Sequence, residues 1–113
     1  WEQATQTVMH TLTIPRGMTA MAAGRVAADA TRFELNATEG LDTWGICSSP
    51  FLLHAFRTVA FRISVAFNPD GTWSYEEDTV LRIQGQDEVF HHTDKNLLTR
   101  VAGPTPNPLA REL

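Results

Sequence analysis

The sequence predicts an all-β chain, an antiparallel up-and-down barrel or partial barrel with one short helix. Three observations carry that expectation. Large apolar residues recur at every second position in several segments, the period of a strand with one buried face. The two longest of these segments flank a single tight turn. The stretches that break the alternation are short and rich in glycine, proline, aspartate and asparagine.

The segment from Arg57 to Ile83 reads as one long hairpin. Val59, Phe61, Ile63, Val65 and Phe67 alternate with Ala60, Arg62, Ser64 and Ala66, and Trp73, Tyr75, Leu81 and Ile83 continue the row after the turn. Asn68-Pro69-Asp70-Gly71 places proline where φ near −65° is wanted and glycine where φ is positive, the chemistry of a type I turn closed by a G1 bulge. With Asn68 facing Thr72, the expected pairs are Phe67 with Trp73, Val65 with Tyr75, Ile63 with Glu77, Phe61 with Thr79 and Val59 with Leu81. All fall on one face, so turn and pattern agree. Glu77 and Thr79 also share it; such polar groups are costly in a solid core and suit a cavity.

Earlier in the chain, Gln3 to Ile14 reads as a strand with Val8, His10, Leu12 and Ile14 on one side. Pro15-Arg16-Gly17 interrupts it, and Met18 to Val26 resumes as a second strand, with a helix as the lesser alternative given its alanines. Ala27 to Thr31 is a turn. Arg32 to Thr38 is a short strand with Phe33, Leu35 and Ala37 on one face, so the order is that of a meander. Glu39 to Arg57 departs from the rhythm: Gly40, Asp42 and Gly45 mark a loop, Ser48 or Ser49 caps a helix with Pro50 at its first position, and 51–56 supplies one and a half turns. That piece reads as a plug closing one end of the barrel with Phe51, Leu52 and Phe56; its alternative is a lid over a ligand, carrying Trp44, Cys47 and His54. After a turn at Gly85 to Glu88, Val89 to Val101 is the last strand. The domain thus runs over 1–102, and 103–113 is a proline-rich extended tail.

Bulk properties narrow the function. A chain of 113 residues holds one core. A net charge of −4 leaves no basic stripe for a nucleic-acid partner, and no apolar run reaches the length of a membrane span. The single cysteine, Cys47, excludes an internal disulfide and fits a reducing, cytoplasmic compartment. No P-loop, Cys-x-x-Cys or nucleophile elbow is present, and alternation separates Glu76, Glu77 and Asp78 onto two faces, so no carboxylate pair arises.

Four histidines remain: His10, His54, His91 and His92. His10 sits in an apolar row and reads as a core or lining residue without chemistry. His91 and His92 are neighbours on a strand, so only one looks inward: an inward Leu97 selects His91, and an inward Leu98 selects His92. Neither the pair nor Cys47 has zinc-site spacing.

The long hairpin, the Ile14-Pro15-Arg16-Gly17 turn after a strand, and a last strand opened by histidine together resemble the nitrobindin family. These are haem-binding β-barrels shaped like lipocalins and fatty-acid-binding proteins. The likeness runs from about Glu2 to Ala102 and corresponds to the C-terminal two-thirds of that barrel. It implies that Pro15 and Gly17 form the family's turn and that His91 or His92 is the proximal iron ligand, with Asp94 as its orienter. It further implies haem b in a pocket lined by Phe61, Ile63, Tyr75 and Thr79, with nitric oxide binding or isomerisation of peroxynitrite to nitrate on the open side. His-Thr-Asp stands where the family has His-Leu-x-Ala. The family's glycine-rich N-terminal strand has no counterpart here, so open sheet edges are expected, covered in a homodimer or by a missing N-terminal segment. The competing expectation is a non-enzymatic barrel for a fatty acid or other small apolar ligand, its carboxylate received by Arg57, Arg62 or Arg100.

Overall fold

The computed structural model describes residues 1–15, 17–40, 45–50 and 52–106. Seven strands are present: β1 (Thr7–Ile14), β2 (Met18–Arg25), β3 (Arg32–Thr38), β4 (Ile46–Ser48), β5 (Phe56–Phe67), β6 (Trp73–Ile83) and β7 (Val89–Leu98). They form two antiparallel sheets, β1-β2-β4 and β3-β5-β6-β7. The all-β expectation holds. A strict meander does not, because the turn after β2 carries the chain into the second sheet and β4 returns to pair with β2.

The β5–β6 hairpin has the expected register over most of its length. Phe67 opposes Trp73, Val65 opposes Tyr75, Ile63 opposes Glu77 and Phe61 opposes Thr79. At the turn the Asn68 amide donates to Thr72 O (2.8 Å), the Gly71 amide donates to Asn68 O (3.0 Å), and Gly71 has φ +83°. Asp70 braces it, its carboxylate accepting from the Thr72 amide and hydroxyl, which hold its pKa below the usual carboxylate range. One expected pair fails: the ladder shifts between Thr58 and Ala60, so Thr58 opposes Leu81 and Val59 is the extra residue of a β-bulge. The bulge reverses the alternation beyond it, and Thr58 becomes a buried polar residue, 2% exposed.

The core lies where the two sheets face each other. Met18, Ala20 and Ala22 of β2 pack on Leu35 and Ala37 of β3 and on Phe61 and Ile63 of β5. The small residues of β2 let the sheets approach closely. Gly24 shows how closely, since a Cβ there would lie 2.8 Å from a methyl of Leu35.

Two further expectations are corrected. The short helix is absent: Ala55 and Phe56 donate to Leu52 O and Leu52 donates to Ser49 O, isolated turns without a helical repeat. Six residues are too few to offset helix nucleation without a packed face, and Leu53 and His54 are exposed. Instead Ile46–Ser48 forms β4, placing exposed Cys47 opposite Thr19. Phe51 of the plug and Trp44 of the lid lie outside the described residues, as do Arg16 of the turn and the end of the tail.

No closed barrel forms among the described residues; β1 and β7 each keep an unladdered edge. The accessible surface is 8430 Å², against about 6,200 Å² for a compact monomer of this mass. The radius of gyration is 16.8 Å, against about 13 Å for a compact chain of this length. β7 is exposed along its whole length, so the second sheet ends in an uncovered strand.

Candidate functional site

The inner face is the one that carries Phe61 and Ile63. Along β6 it presents Trp73, Tyr75, Glu77 and Thr79, and along β7 their partners Leu98, Asn96, Asp94 and His92. A cavity of about 350 Å³ opens on this face, walled by Phe33, Ile63, Val65, Trp73, Tyr75 and Leu98, with His10, Ser74 and Glu77 as its polar members. Apolar walls with a few convergent polar groups are the usual make-up of a small-ligand site. A groove of about 380 Å³ on the opposite face, lined by Arg32, Ser64, Ala66, Glu76, Lys95 and Leu97 among others, mixes polar and apolar groups and is more open, and Lys95 is tied to Glu76 there (3.3 Å).

The ladder decides the parity of the two histidines. His92 opposes Thr79 and lies on the inner face with Leu98. His91 opposes Val80 on the outer face, where its Nδ1 lies 2.9 Å from Asp78 Oδ2. Of the two residues expected to include an iron ligand, only His92 faces the cavity side, and its ring is exposed because β7 is an edge strand. Asp94, expected to orient that ligand, accepts from Asn96 Nδ2 instead (2.9 Å), and Asn96 Nδ2 also donates to the Tyr75 hydroxyl (2.8 Å).

The four expected lining residues divide by level. Ile63 and Tyr75 line the cavity. Phe61 and Thr79 are buried on the same face one level along, in one cross-strand row with His92. Strands are spaced about 4.8 Å apart, so Phe61 and His92 are separated by about 10 Å. Trp73 was expected in the interior; it edges onto Phe67 (centroids 4.8 Å) but stays 49% exposed at the cavity mouth.

Two ionisable groups of the cavity are shifted. Burial raises the pKa of Glu77, the facing charge of Asp94 adds to the rise, and His92 partly offsets it. Burial lowers the pKa of His10 and favours its neutral imidazole. His10 stacks on Phe61 with centroids 5.7 Å apart and ring planes at 17°. Its Nδ1 is buried and has no hydrogen-bond partner. Its place in the row Val8, His10, Leu12 pointed it inward as a core or lining residue, and it lines the cavity; the partnerless nitrogen has no signal in the sequence. Of the three arginines expected to receive a carboxylate, Arg57 and Arg62 pair on the outer surface with Glu39 (3.4 Å) and Glu34 (3.3 Å), and Arg100 lines a separate pocket with Trp73 and Leu98 rather than the cavity itself. Among the described residues no cluster of three or more His, Cys, Asp or Glu side chains forms a metal site.

Residues 1–100 match the family model described as a THAP4-like, heme-binding beta-barrel domain. The chain belongs to that family. The expected nitrobindin-like assignment is thereby borne out, and haem is the ligand of the family to which it points. No curated protein and no solved structure matches the chain. Haem iron can be held by a single histidine imidazole rather than by a multidentate cluster. His92 beside Thr79, the aromatic and aliphatic cavity walls and the partnerless nitrogen of His10 fit that arrangement.

Proposed function

We propose that this protein is a nitrobindin-type haem-binding domain in which His92 would hold the iron. The observation that carries the reading is positional. His92 stands on the inner face beside an apolar cavity, whereas His91 is turned outward and engaged by Asp78. With one cysteine and no paired-cysteine attachment motif, the group is haem b held without a covalent link. Phe33, Ile63, Val65 and Tyr75 exclude water from one side of such a group, and Leu98 and Trp73 flank its entry. Bound haem would supply an iron centre able to take nitric oxide or to isomerise peroxynitrite to nitrate, a conversion that gains and loses no atoms. A fatty acid is the weaker occupant, because the cavity presents the Glu77 carboxylate and no arginine to a carboxylate ligand.

Titration of the purified protein with hemin tests this. A Soret band should grow to saturation, vanish in His92→Ala and persist in His91→Ala. A wild-type spectrum identical to free hemin, with uptake of a fluorescent fatty acid, would replace the haem reading with the apolar-ligand one.

A further inference from the structure

The cavity holds a second imidazole whose placement simple packing does not explain. His10 projects from β1 opposite Ala22, a buried alanine that leaves room for the ring, and it lies flat on Phe61. A phenylalanine there would make the same stack without leaving a buried nitrogen unsatisfied. Buried polar atoms in folded proteins nearly always find a partner, yet Nδ1 of His10 has none. It also differs from His91, whose nitrogen is engaged by a carboxylate on the surface. The ring lines the same cavity as Ile63, Tyr75 and Glu77, and Glu77 makes no hydrogen bond to it. The row of His10 on Phe61, then Thr79, then His92 sets two imidazoles at one level of the inner face, on different strands.

We propose that His10 is the ligand-facing group of this cavity, which would hydrogen-bond a small ligand of bound haem; this rests on the haem reading above. A neutral imidazole offers one N–H donor and one acceptor nitrogen. The donor suits the outer atom of a small anionic or partly anionic ligand, and burial of the ring keeps it in this neutral form. Phe61 holds the ring plane, and so sets the direction in which the donor points.

The test uses hemin-loaded wild-type protein, His10→Phe and His10→Gln, with cyanide as the probe and the Soret shift as the readout. Phenylalanine keeps the stack on Phe61 and removes both nitrogens. Hemin should still bind in both variants. Cyanide affinity should fall about three- to tenfold in His10→Phe, the weight of one hydrogen bond, and recover in part in His10→Gln. Equal cyanide affinity in loaded wild type and His10→Phe overturns the proposal. Loss of the Soret band in His10→Phe but not in His92→Ala also overturns it, by making His10 the axial ligand. A wild-type protein that leaves hemin unperturbed overturns the haem reading itself, and does so before cyanide is added.

Discussion

Glu77 and Asp94 stand directly opposite each other in the β6–β7 ladder, two carboxylates on the face that carries His92. Burial and the charge of Asp94 raise the folded-state pKa of Glu77 above its ordinary value of 4.5. An unfolded chain therefore releases this proton at lower pH than the folded one. The stabilisation is complete below the ordinary value and is lost as pH rises through the raised one. At pH 7 the ionised pair opposes folding. Glu77→Gln is expected to raise the unfolding free energy from urea denaturation at pH 7 by less than about 1 kcal/mol, because the site is open to solvent, and the gain should vanish in acid. A variant no more stable than wild type at pH 7 contradicts the opposition.

His10 shifts in the other direction. Burial lowers its pKa from 6.5, so the unfolded state takes up a proton before the folded state does. Stability present above that ordinary value is lost as pH falls through it toward the lowered one. Urea denaturation at descending pH should show this loss in wild type and a smaller one in His10→Phe, which keeps the stack and has no site to titrate. Parallel pH profiles for the two proteins would mean that the ring is not desolvated.

Phe61 is 1% exposed at the meeting of the two sheets, beneath His10 and beside Leu35, Ala37 and Ile63. Phe61→Ala is expected to cost about 3 to 5 kcal/mol, the range for a truncated core aromatic. A loss of unfolding free energy below about 1 kcal/mol would show that this row does not face the core.

Local features were legible in the sequence because their causes are local. The Asn68 to Gly71 turn and the odd-numbered rows specified the hairpin register from Phe61 to Thr79 onward to the turn. The bulge at Val59 was not, since valine there continues the apolar alternation and no glycine marks the shift. β4 escaped notice because three residues carry too little periodicity, and its partner β2 lies more than twenty residues earlier. The helix was inferred from a serine cap and a proline, but capping residues serve isolated turns equally well. At the site, the sequence reduced the orientation of the two histidines to parity, and the pairing of Trp73 with Leu98 puts His92 on the inner face and His91 on the outer one. Sheet closure depends on contacts distant in sequence, which alternation does not encode.

The remaining prediction concerns β7, whose edge away from β6 makes no ladder with another described strand. In an antiparallel edge strand successive amides point alternately toward the neighbour and away from it. Amide exchange should therefore be slow at every second residue from Val89 to Leu98 and fast between them, while interior β5, laddered to β3 and β6, is protected throughout. Lys95 and Asp94 on this strand are charges of the kind that discourage edge-to-edge pairing. Leu97 and Leu98 at its end, 65% and 49% exposed, favour it. The exchange pattern weighs the two directly. Alternating protection leaves the edge bare in solution, whereas slow exchange at all ten positions, with a sedimentation coefficient that rises with concentration, requires a second copy paired along β7.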